Sequence, residues 1–199
     1  AVYPAVASRV CGVDAGAGGA DYRDNHLPSA VELIQVRCHG TATTHMWDDG
    51  VNVTSSDYLV KDPDAVFYNL YTCSGADFTT ANNLSRIAVM NPAAGGLAAW
   101  SHSGTGGMIT FDRYRASVFY DALGAGECLG EAFRLWYNSC VDGDFYYTEP
   151  YWKTAKWFNG MRIDGDGGLT LRTPTIRYVS TTGGDTPPYT SWETAAPRV

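Results

Sequence analysis

Two side chains in this sequence could work together as a thiol nucleophile and its base. His39-Gly40 closes the apolar run Val31-Glu-Leu-Ile-Gln-Val-Arg-Cys38, and Cys73-Ser74-Gly75 closes a second run, Asp64-Ala-Val-Phe-Tyr-Asn-Leu-Tyr-Thr72. A thiolate attacks carbonyl carbon where a thiol does not. A free cysteine, with its pKa at about 8.5, is only slightly ionised at neutral pH, so the chemistry needs a neighbouring imidazole to take the proton. The backbone N–H groups of Gly40 and Cys73 could then hold an oxyanion, Gly40 because no Cβ keeps the oxygen away. Cys73 is the candidate nucleophile and His39 the candidate base, 34 positions apart (39 to 73).

The elements that carry them read as strands. Both runs are short, rich in β-branched and aromatic residues, and bounded by Gly, Ser or Asp. If they lie parallel and adjacent, their carboxyl ends fall on one sheet edge, where open α/β sheets place their sites. Residues 1–30, with Gly12, Gly16, Gly18 and Gly19, read as irregular chain, with a helix starting at Pro28 or Ser29. Gly40 to Gly50 reads as a polar loop beside a cleft. Ser55 to Leu59 starts a short helix, and a second follows Asn83 with Leu84, Ile87, Ala88 and Met90 on its apolar face. Leu97 to Trp100 reads as a buried strand followed by the loop Ser101 to Gly107. Ile109 to Leu123 and Cys128 to Tyr137 have helical spacing, with Gly124 and Gly126 between them. Ile163 to Leu171 and Thr175 to Ser180 read as late strands. The fold class is therefore α/β, a mostly parallel sheet with helices on both faces. The expected division is an irregular segment 1–30, a catalytic domain 31–173, and a Gly/Pro-rich tail or stub of a further domain 174–199.

Composition bounds the partners. The 199 residues suit one domain with a substantial core. A net charge of −7 argues against nucleic acid or an anionic membrane surface, both of which need basic patches. No apolar run approaches the roughly 20 residues of a membrane span. Few lysines, 13% aromatics and many Gly, Thr and Asn residues give the composition of an exported protein, so a secreted or extracellular location is expected. The five cysteines, at 11, 38, 73, 128 and 140, are an odd number, so one at least stays unpaired within the chain.

Other readings compete for the same residues. Cys38, His39, His45 and Cys73 offer zinc-type ligands, at a spacing that matches no standard zinc pattern. Strand alternation points Cys38 away from Cys73. His45 and His102 read as solvated loop histidines. Asp142-Gly-Asp144 and Asp164-Gly-Asp166 offer oxygen ligands for a structural Ca²⁺ without completing an EF-hand, and plain turns explain them as well. No Gly-x-Ser-x-Gly elbow is present.

A hydrophobic strand ending in His-Gly, followed by a second ending in Cys, resembles the caspase-like cysteine peptidases, and within them the gingipain type. Asn83 to Gly96 with Leu97 to Ser101, Cys128-Leu-Gly-Glu-Ala-Phe133, and Met161 to Leu171 resemble that family's later helices and closing strand, so the likeness runs from Val31 to Arg172. It implies a cysteine endopeptidase acting on peptides or proteins after Arg or Lys without a required cofactor, with Trp100, Ser101 and His102 bordering the substrate pocket. It also implies two strands and their helices ahead of the His-Gly strand, more than the 38 residues preceding His39 hold. A second chain supplying that N-terminal half is one expectation. A non-catalytic scaffold, or one chain of a processed two-chain assembly used for binding, is the alternative reading.

Overall fold

The computed structural model describes residues 18–92, 95–105, 115–142 and 159–171. Four strands form the main sheet, in the order β1 (Leu33–Arg37), β5 (Phe67–Tyr71), β6 (Ala98–His102), β7 (Met161–Gly165). The first three are parallel, and β7 closes one edge antiparallel to β6. Between β1 and β5 the chain builds a separate three-stranded antiparallel sheet, β2 (His39–Thr41), β3 (Thr44–Met46) and β4 (Asn52–Thr54). The span expected as a polar loop thus contains β3 and most of β2, with Asp49-Gly50 in the turn and Gly50 at φ +78°.

Alternation along the strands makes two cores. Ile34, Val36, Tyr68, Leu70 and Ala99 face one way and pack with Tyr58, Leu84, Ile87 and Ala88 from helices α2 (Ser55–Val60) and α3 (Leu84–Met90). Phe67, Ala98, Trp100 and Met161 face the other way and meet Phe119, Leu123, Leu129 and Trp136 from α4 (Ala116–Gly124) and α5 (Leu129–Asp142). The second core centres on Trp100, whose ring lies 4.1 Å from Phe119 and 5.0 Å from Trp136 between centroids. Each large side chain buried there contributes roughly 1.5–3 kcal/mol. The mostly parallel sheet with helices on both faces matches the fold class expected from the sequence.

Helix starts follow local chemistry. Thr54 and Asp57 form a reciprocal capping box on α2, and Asn83 caps α3 by accepting from the Arg86 N–H. Met90 departs from the expected apolar face: it is 69% exposed while Leu84, Ile87 and Ala88 are buried. No helix begins at Pro28 or Ser29. The helical stretch lies earlier, in α1 (Gly19–Asp21) and a π-helical turn over Tyr22–His26, and Pro28, lacking an N–H, ends it. The last described strand stops at Gly165 (φ +100°), short of the expected Leu171. The expected elements over 109–114 and 175–180, the carboxylate turn at 142–144 and the tail from 183 lie outside the described residues or their described side chains.

Candidate active site

The β1–β5 register carries the site. Leu33 pairs with Phe67 and Arg37 with Tyr71, an offset of 34 throughout. His39 and Cys73 are separated by the same 34 positions, each lying two residues beyond the last paired rung, Arg37 with Tyr71. Past β1 the ladder holds for one more rung, the Cys38 N–H donating to the Tyr71 carbonyl at 3.4 Å. The chain then turns into β2, where His39 is exposed. Gly40 sits directly on Thr72, with no room for a Cβ: one would lie 2.1 Å from Thr72 Oγ1 and 2.4 Å from the Thr44 carbonyl. The residues following His39 and preceding Cys73 are therefore in contact.

Cys73 is a free, half-buried thiol at the head of a tight turn. Ser74 takes a left-handed conformation (φ +57°), one that costs a non-glycine residue about 1–2 kcal/mol and is held only where its surroundings enforce it. Several hydrogen bonds do so here. The Ser74 N–H donates to Gly104 O at 2.8 Å, Ala76 N–H to His102 O at 3.0 Å, and Ser85 N–H to Gly75 O at 2.9 Å. The turn is thus tied both to the loop after β6 and to the start of α3. The following segment is braced by Asp77, which accepts from the Thr79 N–H and from the hydroxyls of Thr79 and Thr80. Those bonds favour the ionised carboxylate and lower its pKa.

A second cysteine–histidine pair lies beneath the first. Cys38 Sγ is 3.5 Å from His45 Nδ1, His45 Nε2 is 3.0 Å from the Tyr58 hydroxyl, and Tyr58 and Tyr22 share a hydrogen bond of 2.6 Å. His45 is wholly buried in β3, not solvated on a loop, and burial lowers its pKa to about 3. Burial raises the Cys38 thiol to about 12 and raises both tyrosines. A neutral imidazole donates from one nitrogen and accepts at the other, so this chain is satisfied without any charge. Sequence reasoning missed it. The hairpin signal Asp49-Gly50 between alternating segments was the clue that 44–54 is paired strand, whose middle residue turns inward.

The remaining predicted site residues are buried. Trp100 lies in the aromatic core, and Ser101 donates from its hydroxyl to Leu70 O at 2.8 Å. His102, on β6 and 1% exposed, has Nδ1 against both the N–H and the carbonyl of Gly104. The reading of His102 as a solvated histidine is corrected by this packing, since β6 extends through 102 and all five of its residues are buried. Asp164 is engaged by the Ser85 hydroxyl and Arg162. Among the described residues no three His, Cys, Asp or Glu side chains converge to hold a metal ion, so the four-ligand zinc arrangement does not form.

No protein-family model and no curated protein matches the sequence. Solved structures do match its shape. One, described as a protease, superposes with a TM-score of 0.63 at 14% identity, covering 83% of this chain and 40% of its own. Another is the Arg-specific cysteine proteinase gingipain R, with a TM-score of 0.57 at 14% identity, covering 74% of this chain and 35% of its own. The fold is similar to that of these two proteases. At this identity the likeness speaks for the fold alone, and the chain spans well under half the length of these neighbours. The candidate residues His39 and Cys73 follow the carboxyl ends of the parallel strands β1 and β5.

Proposed function

We propose that the chain carries the catalytic centre of a cysteine endopeptidase. The observations that support this best are the shared offset of 34, which leaves His39 and Cys73 each two residues past the last β1–β5 rung, and the close approach of Gly40 to Thr72 between the segments that carry them. The Cys73 sulfur attacks the carbonyl carbon of a peptide bond while its proton passes to His39. The N–H groups of Gly40 and Cys73 hold the oxyanion of the tetrahedral intermediate. The C–N bond then breaks, His39 gives its proton to the leaving amine, and an acyl thioester remains on Cys73. Water attacks the thioester, again losing a proton to His39, and release of the carboxylate restores the thiol. The substrate is a peptide or protein, cut after Arg or Lys, at an extracellular location. The chemistry requires no cofactor, and any Ca²⁺ would be structural.

The second reading is a binding scaffold or one chain of a two-chain assembly, in which Cys73 performs no chemistry. Brief exposure to a chloromethyl ketone bearing a basic residue, followed by intact mass and peptide mapping, separates the two. A single adduct on Cys73 is expected for the peptidase. A folded sample without an adduct, equally inert to alkylating reagents of neutral side chain, favours the scaffold.

A further inference from the structure

Thr72 is the residue that neither the chemistry nor the core accounts for. It is 1% exposed, and its hydroxyl faces the half-buried Cys38 thiol. Its side chain lies between the two turns of the site. Oγ1 would stand 2.1 Å from a Cβ on Gly40, and Cγ2 would stand 2.8 Å from a Cβ on Gly75. One branch therefore rests on the backbone that follows His39 and the other on the backbone that follows Cys73. Each turn is held from its far side as well: the space at Gly40 is bounded by the Thr44 carbonyl, and that at Gly75 by Ser101 Oγ, 2.6 Å from the same hypothetical Cβ. Neither turn can move toward the other without displacing Thr72.

We propose that Thr72 is a positioning residue that sets the separation of the His39 and Cys73 turns, and that it acts by volume, its hydroxyl serving as the second branch of a wedge. A β-branched residue suits this, since two heavy atoms on Cβ fix χ1 and present two contact points at once. The steric role rests on the two close approaches, at Gly40 and at Gly75, and Thr72→Val, which keeps both branches and removes the hydroxyl, separates it from any bond to the Cys38 thiol. The inference rests on the peptidase reading only for its effect on turnover; the spacing itself is a property of the fold.

The test uses Thr72→Val, Thr72→Ser and Thr72→Ala, first in a His39→Cys background. Bifunctional thiol reagents of graded length then join position 39 to Cys73, and intact mass with peptide mapping reads which lengths bridge them. Thr72 and Thr72→Val are expected to share one preferred length, and Thr72→Ala to accept a broad range. In the native background Thr72→Ala is expected to lower kcat by on the order of tenfold or more at nearly unchanged KM, because small displacements of reacting groups are felt mainly in the chemical step. Thr72→Val is expected to keep turnover within about twofold, since it keeps both branches of the side chain. If Thr72→Ala does not fold, Thr72→Ser takes its place, keeping the contact at Gly40 and losing that at Gly75. An unchanged length preference in Thr72→Ala, or a loss of preference in Thr72→Val as large as in Thr72→Ala, overturns the proposal. The expected bridging pattern in a chain that hydrolyses no peptide upholds the spacer and removes the peptidase reading.

Discussion

Two cysteine–histidine pairs lie close together in this protein, and they are built on opposite principles. Cys38 and His45 touch, at 3.5 Å; the imidazole is buried in the core beside two tyrosines and the thiol lies half-buried against it. His39 and Cys73 stand at the sheet edge, one exposed and the other half-buried, each on a turn whose backbone is fixed by its neighbours. The pair in contact is poorly suited to ionise. Forming a thiolate–imidazolium pair there would place two charges in a site that holds the thiol near 12 and the imidazole near 3. Contact between a thiol and an imidazole therefore does not make a nucleophile; solvent access and a place for a carbonyl to bind are needed too.

The sharpest way to break this contrast is to remove each sulfur in turn. Cys73→Ala is expected to lower peptide hydrolysis by at least about a thousandfold while leaving the fold intact, since in the proposed mechanism the residue is the covalent partner of the acyl group. Turnover measured on a fluorogenic peptide decides it. Activity within a few fold of the parent would transfer the nucleophile to another thiol, and Cys38 would be the first to examine.

A smaller but still large effect is expected at Gly40. An alanine there would set its Cβ 2.1 Å from Thr72 Oγ1 and 2.4 Å from a backbone carbonyl, contacts that no real structure tolerates. The hairpin carrying His39 must shift, at a cost of roughly 1–3 kcal/mol by the usual penalty for overpacking. Urea midpoints should fall accordingly, and kcat should fall with them because His39 moves. A Gly40→Ala protein of unchanged stability would mean that the β2 hairpin is not clamped as described.

The buried pair should make itself felt through acid. His45 is held neutral in the fold, with a pKa of about 3 against about 6.5 in the unfolded chain. The unfolded state then binds a proton that the folded state refuses. Stability is fully present above pH 6.5 and is lost as the pH falls toward 3, by about 1.4 kcal/mol per pH unit from this group alone. Between pH 7 and pH 5 the loss is about 2 kcal/mol. Urea unfolding at the two pH values, compared with the same pair of measurements on His45→Gln, reads it. If the variant keeps the parent's pH dependence, His45 is not the group responsible.

How much of this was legible in the residues depends on the length of each element. The five-residue strands β1, β5 and β6 showed themselves because apolar and β-branched residues run through them, and the His-Gly and Cys-Ser-Gly ends marked the sheet edge. That 34 positions separate His39 from Cys73 was visible too, but its meaning was not: only the pairing of Leu33 with Phe67 shows that the spacing equals the register. Strands of three residues have almost no period to read, which is why β2 to β4 looked like a polar loop and His45 looked solvated. Trp100, Ser101 and His102 belong to a central strand packed on both faces, so their burial follows from pairing on either side, which no local pattern reports. Pro28 was ambiguous in principle, since proline both opens helices and ends them, and here the turns before it decide. Thr72 carried no signal at all, because a wedge is defined by the two glycines that meet it.

The smallest expected effect tests whether the buried pair matters to the edge pair at all. Cys38→Ala removes one sulfur from a half-buried position and leaves His45 Nδ1 without its partner, while Nε2 keeps Tyr58. A sulfur–nitrogen contact of 3.5 Å is weak, so the expected loss of stability is about 1 kcal/mol. Burial keeps the Cys38 sulfur protonated and out of the reaction, so kcat and KM should stay within about twofold of the parent. Thermal unfolding and the same peptide assay measure both. A modest fall in Tm with unchanged turnover leaves the two pairs independent, the inner one bracing the hairpin and the outer one reacting. A collapse of turnover with an unchanged Tm would join them into one machine, with Cys38 acting on Cys73 across the sheet edge.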